Sequence, residues 1–241
     1  MYSDGGTCSE SSSKWVKIFG TSGNDYGNSV QETSEGDFIV TGKSGRIPSI
    51  FVVKTNPLGE KIWENLYGNI SNSSDRGNHI LERQDLGYLI LGKEMTNSSD
   101  DNLCLINIDA EGSEIWHSLY GGTNSDEGTY LSAVSGGGFI IAGSSKSYGN
   151  GNWDDMWLVK TSTGGSMEWQ KTFGGSYDET GHYVHEKTEG GFMIVGSTES
   201  FGQGLFDIWV ISTDYTGNEI YSQTFGGSMD DKALKGAKSD N

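Results

Sequence analysis

One recurring phrase constrains this chain more than anything else in it. A Trp is followed four residues later by an aromatic and then by glycine: KWVKIFG at 14–20, IWHSLYGG at 115–122 and EWQKTFGG at 168–175. The anchors are Trp15, Trp63, Trp116, Trp169 and Tyr221, spaced 48, 53, 53 and 52 residues apart. Other positions keep step. Gly59, Gly112, Gly165 and Gly217 each stand four residues before an anchor. Gly27, Gly77, Gly128 and Gly181 open the next segment. Phe38, Tyr88, Phe139 and Phe192 then begin an apolar run that ends on Gly42, Gly92, Gly143 and Gly196. A period of this length marks stacked supersecondary units, none of which buries its own faces.

Each period reads as four short strands. The first is half-polar (NSVQET, HYVHEK), the second and third are continuous apolar runs (FIIAG, MWLVKT), and the fourth carries the Trp. Short apolar runs bounded by Gly suit strands buried on both faces, and no segment holds a 3.6-residue period. Four antiparallel strands repeated every fifty residues form the blade of a β-propeller. The expected architecture is therefore all-β. Residues 1–13 form a polar tail, and 14–241 form a propeller with repeats near 15–62, 63–115, 116–168 and 169–220 and a partial one at 221–241. Residues 14–20 are a fourth strand with no preceding three, and SMDDKALKGAKSDN aligns with a first strand. The expectation is four complete blades in a segment of a longer propeller.

Composition narrows the partners. Sixteen basic against thirty-three acidic side chains give a formal charge of −17. Such a surface repels phosphate backbones and anionic lipid, so nucleic acid and membrane insertion are excluded as expected partners. No apolar run has transmembrane length, and Met1–Ser13 has no apolar core of a signal peptide. The acidic positions Asp25, Asp75, Asp126, Glu179 and Asp231, each two before a strand-opening Gly or its equivalent, suit carboxylates that accept backbone N–H bonds at turns. Ca2+ is the alternative ligand for them, although the dense oxygen set it needs is not in the spacing. Asp155 and Asp207, ahead of the third strand, read as turn caps. Cys8 and Cys104 make neither a disulfide framework nor a metal knuckle, and Cys104 reads as a small buried hydrophobe where other repeats carry Phe51, Trp157 and Trp209. His79, His117, His182 and His185 show no metal spacing, and on an unbroken strand His182 and His185 point to opposite faces. No cofactor is expected.

The connection between the second and third strands varies most, over 43–49, 93–102, 144–155 and 197–207. Variation at one loop position places it on one rim, where a binding face is most readily built. Tyr148, Trp153 and Phe201 are its aromatic candidates.

Two resemblances follow from these residues. IDAEGSEIW at 108–116 and TDYTGNEIY at 213–221 resemble the Asp-x-x-Gly-x-x-x-Trp docking phrase of quinoprotein-type propeller repeats, through Asp109, Gly112 and Trp116 and through Asp214 and Gly217, with Tyr221 in place of Trp. This resemblance implies that Trp and Gly tie neighbouring blades together, with the first strand innermost and the Trp strand outermost. Asn56 and Ser162 depart from it at the acidic position. The whole repeat is similar to those of uncharacterised secreted or surface propeller proteins of bacteria and archaea, which implies an extracellular or cell-surface location. Two functions are compatible with these readings. One is a non-enzymatic binding or structural module that recognises a glycan or a surface protein through its rim. The other is an enzyme, quinone-dependent or glycan-cleaving, with its site at the central axis.

Overall fold

The computed structural model describes residues 15–47, 49–68, 75–83, 87–97 and 100–233. The polar tail and Cys8 lie outside them.

The chain folds into four antiparallel four-stranded sheets, each built from consecutive strands in sequence order. Blade 1 holds β1 (Tyr26–Glu32), β2 (Phe38–Ser44), β3 (Ser49–Thr55) and β4 (Lys61–Tyr67). Blade 2 holds β5 (Arg76–Glu82), β6 (Tyr88–Asn97), β7 (Asp100–Ile108) and β8 (Glu114–Tyr120). Blade 3 holds β9 (Asp126–Ala133), β10 (Phe139–Ser145), β11 (Asp155–Thr161) and β12 (Met167–Phe173). Blade 4 holds β13 (Glu179–Glu186), β14 (Phe192–Thr198), β15 (Asp207–Thr213) and β16 (Glu219–Phe225). The fold is a β-propeller, and among the described residues no helix is long and apolar enough to cross a membrane.

Strand burial follows the sequence pattern. Every residue of β3 and β11 is buried, whereas β16 is almost wholly exposed. The core lies between blades: Ile39, Ile50 and Val52 of the first pack with Ile80, Ile90 and Ile106 of the second. Burying one such side chain contributes about 1.5–3 kcal/mol, so three inter-blade clusters supply most of the driving force. The first strands β1, β5, β9 and β13 pack on one another in succession and form the inner wall.

The strand-opening glycines make that approach feasible. A Cβ on Gly77 would sit 2.0 Å from Thr41 Oγ1 of the preceding blade, and one on Gly128 would sit 2.6 Å from Leu91 Cδ1. One connection differs from expectation. Within the stretch 93–102, β6 runs on to Asn97 and β7 begins at Asp100, so that Met95 pairs with Asp101 and Asn97 with Asp100. Lys93 Nζ lies 2.6 Å from Asp101, and Asn102 Nδ2 donates to Thr96 Oγ1 at 3.0 Å, so polar cross-strand pairs extend the ladder beyond the apolar run.

Candidate functional site

The inter-blade joints account for the repeated residues. The Trp63 indole N–H donates to Ala110 O at 3.0 Å, and the Trp15 indole donates to Pro57 O at the same distance. Each ring thus covers the turn before the fourth strand of the next blade. Gly112 in that turn has φ +85°, and a Cβ there would lie 3.1 Å from the Trp63 ring. Gly59, Gly165 and Gly217 face Trp15, Trp116 and Trp169 in the same way. Tyr67 Oη adds a 2.6 Å bond to Gly112 O, and Tyr120 Oη makes the matching bond to Gly165 O. These tryptophans therefore join blades.

The acidic positions fasten loops. Asp25 accepts from the Thr21 N–H at 2.6 Å and the Gly45 N–H at 2.9 Å, joining the connection that precedes β1 to the one that follows β2. The Gly45 bond, then the Thr21 bond, holds its carboxyl below the usual range. Asp126 repeats this with the N–H of Gly122 and the hydroxyls of Ser145 and Ser147, and Asp75 accepts from the Met95 N–H at 2.9 Å. Asp155 and Asp207 cap the third strand through the N–H of Asn150 and of Gln203. Burial raises the Asp155 pKa, with Glu179 adding to the rise against the Asn150 bond.

Of the rim candidates, Tyr148 stacks on Trp157 with ring centres 5.6 Å apart and bonds Gly121 O. Phe201 stacks on Trp209 at 5.0 Å and lines an open groove of about 660 Å3 between blades 3 and 4, shared with Asn150, Thr172 and Gln223. Trp153, 47% exposed, lies 6.2 Å from the Tyr177 ring. The three do not converge on one cavity.

Convergence occurs at the axis instead. Each first strand carries a β-bulge just after its opening Gly, so that Asn28, Asn78, Thr129 and His182 have no partner on the second strand. A bulge adds one residue and re-aims the side chain. Asn28 Nδ2 donates to Gly77 O and Asn78 Nδ2 to Gly128 O, both at 2.8 Å, and Thr129 Oγ1 donates to Gly181 O. The bulges of blades 1, 2 and 3 thus reach the opening glycine of the next blade. The bulge also breaks the alternation that sets His182 opposite His185 on a regular strand.

One cavity of about 460 Å3 is lined by these four bulge residues together with Ser29, Val30, His79 and Tyr130. It is smaller than the outer groove, yet every blade contributes to it. The His79 and Tyr130 rings lie 4.4 Å apart, and the Tyr130 and Tyr183 rings 4.7 Å. Burial, with the charge of Lys232 behind it, lowers the His182 pKa and favours the neutral imidazole. Beside the cavity, Glu127 accepts from Asn78 Nδ2 at 2.8 Å and from Arg76 Nη2 at 2.7 Å. Sequence reasoning missed this ring because its column varies in residue type. The register of the opening glycines was the signal that could have found it.

Neither a family model nor a curated protein sequence matches the chain. Among solved structures, it is similar to an α-L-arabinofuranosidase from Lactobacillus brevis, with a TM-score of 0.52 and 10% identity over 82% of this chain and 71% of that one. At that identity the likeness is one of fold, and it places this chain among β-propellers.

Proposed function

We propose that the protein acts on glycans, with the axial cavity as its site. The observation that carries this reading is the convergence of Asn28, Asn78, Thr129 and His182, one from each blade, around a single cavity. Amide, hydroxyl and imidazole groups offer both donors and acceptors, which a polyhydroxyl ligand requires, and the rings of His79 and Tyr130 offer flat faces for its C–H surfaces.

Hydrolysis is the first reading, supported by the fold likeness to a glycosidase. Cleavage of a glycosidic bond ordinarily takes two carboxyl groups about 5–9.5 Å apart. The carboxylate tied most directly to the cavity is Glu127, through Asn78. A second reading, binding without cleavage, is favoured by the lining itself, which among the described residues includes no carboxylate. In that reading the protein is an exported or surface-displayed glycan receptor.

A panel of nitrophenyl glycosides, the α-L-arabinofuranoside among them, run alongside a glycan array, separates the two. Release of nitrophenol that Glu127→Gln abolishes supports hydrolysis. Retention of a glycan without release, weakened by Tyr130→Ala, supports the receptor. A protein that neither releases nor retains any member of either set is not glycan-directed.

A further inference from the structure

Blade 2 departs from the other three at three positions that meet in space. Where Phe51, Trp157 and Trp209 stand opposite the glycine ending the second strand, blade 2 has Cys104, facing Gly92. Two residues beyond that glycine, Ser44, Ser145 and Thr198 are replaced by Glu94. On the fourth strand, in the register of Glu64, Gln170 and Ser222, blade 2 has His117. Since Cα partners across a sheet share a face, all three side chains lie on the same side of blade 2. The space that an aromatic ring fills elsewhere is left to a thiol, a carboxylate and an imidazole. In blade 3 the equivalent space is closed by Trp157, whose indole donates to Gln170 Oε1 at 2.9 Å.

One donor atom from each of Glu94, Cys104 and His117 lies within 4.8 Å of the other two. Cys104 is fully buried and Glu94 only 7% exposed. Glu94 Oε2 and His117 Nε2 face each other at 3.1 Å. Both atoms are shut away from solvent, and neither makes a well-directed hydrogen bond among the described residues. Each is the other's nearest polar partner, and the Glu94 carboxylate beside it raises the His117 pKa.

We propose that Glu94, Cys104 and His117 form a binding site for a divalent transition-metal ion of the zinc type. The donor set selects the class. Thiolate and imidazole suit Zn2+ and its neighbours, whereas Ca2+ and Mg2+ take oxygen ligands almost alone. Bonds of about 2.3 Å to sulfur and about 2.0–2.2 Å to nitrogen and oxygen require the three side chains to close by no more than roughly 1 Å. The ion would staple β6, β7 and β8. The alternative is a plain ion pair between Glu94 and His117 above a buried thiol. It accounts for two of the three departures but not for the loss of the aromatic.

The test uses the reduced full chain in a Cys8→Ser background, stripped with chelator and titrated with Co2+ and then Zn2+. The site predicts one equivalent of Co2+ with a thiolate-to-metal charge-transfer band, displaced by Zn2+. Cys104→Ser removes the band, and His117→Gln weakens Zn2+ binding at least tenfold. Zn2+ also raises the melting temperature of the parent but not of Glu94→Ser, which carries the residue of blades 1 and 3. Absence of the band in the parent overturns the proposal. So does Zn2+ binding of equal strength in the parent and all three variants, which would mark scattered surface carboxylates.

Discussion

Single residues decide how one blade holds the next. The Trp116 ring lies on Gly165, where a Cβ would come within 2.6 Å of it. Trp116→Ala should therefore lower stability by about 3–5 kcal/mol in denaturant titrations, the cost usual for emptying a large aromatic site. Gly112→Ala should also destabilise, because a left-handed conformation and a contact of 2.6 Å with Asn65 Nδ2 both oppose the methyl group. Trp15→Ala should cost less, since that ring is 40% exposed. This layer of the fold was legible in the sequence. Trp and Gly recur at fixed offsets because the same joint is made again and again. The axial bulges were not legible in this way. Their bond goes to a backbone carbonyl, which Asn and Thr satisfy equally, so the column shows no common residue type.

The innermost strand is the element on which the site depends, and His182 makes its behaviour sensitive to pH. Burial lowers the folded pKa of His182 below the ordinary value of 6.5. Between the two values the unfolded chain binds more protons, so stability falls as pH drops below about 6.5 toward the folded pKa. His182→Asn, which places in blade 4 the residue of blades 1 and 2, should flatten that segment of the profile in melts run between about pH 7.5 and about pH 5. Asn78→Ala should weaken the joint between blades 2 and 3 by about 1–3 kcal/mol, because Gly128 O and Glu127 both lose a donor. The turn before β16 responds in the same direction as His182, in a more acidic window. Bonds from Thr216 and Asn218 bring Asp214 down to about 2, so its contribution is present above about pH 4 and is lost as pH falls through the folded value. The hairpin at 93–102 shows where pattern reading stops. Its polar residues carry no apolar alternation, and the ladder there rests on Lys93, Asp101 and Asn102.

At the scale of the molecule, four blades form an arc around one axis. Apolar side chains are exposed on its first and last blades: Val16, Ile18, Tyr26 and Val30 at one end, and Ile220, Tyr221, Phe225 and Met229 at the other. The repeated joints recur there. The Trp15 indole meets the turn before β4 as the Trp63 indole meets the turn before β8, and the Gly227 N–H donates to Asp231 as the Gly175 N–H does to Glu179. The formal charge of −17 leaves neutral polyhydroxyl ligands as better company than anions. The four complete blades and their buried strands followed from the period, and the strand order from the resemblance to quinoprotein-type repeats. The axis was the place expected for an enzyme's site, but the residues that meet there did not follow, because their column varies in residue type. The most direct test is calorimetric titration of the best array glycan into the parent protein, Tyr130→Ala and Trp153→Ala. The axial site predicts that affinity falls at least tenfold in Tyr130→Ala and holds in Trp153→Ala. Affinity unchanged in the first and lost in the second would contradict it and return the site to the rim.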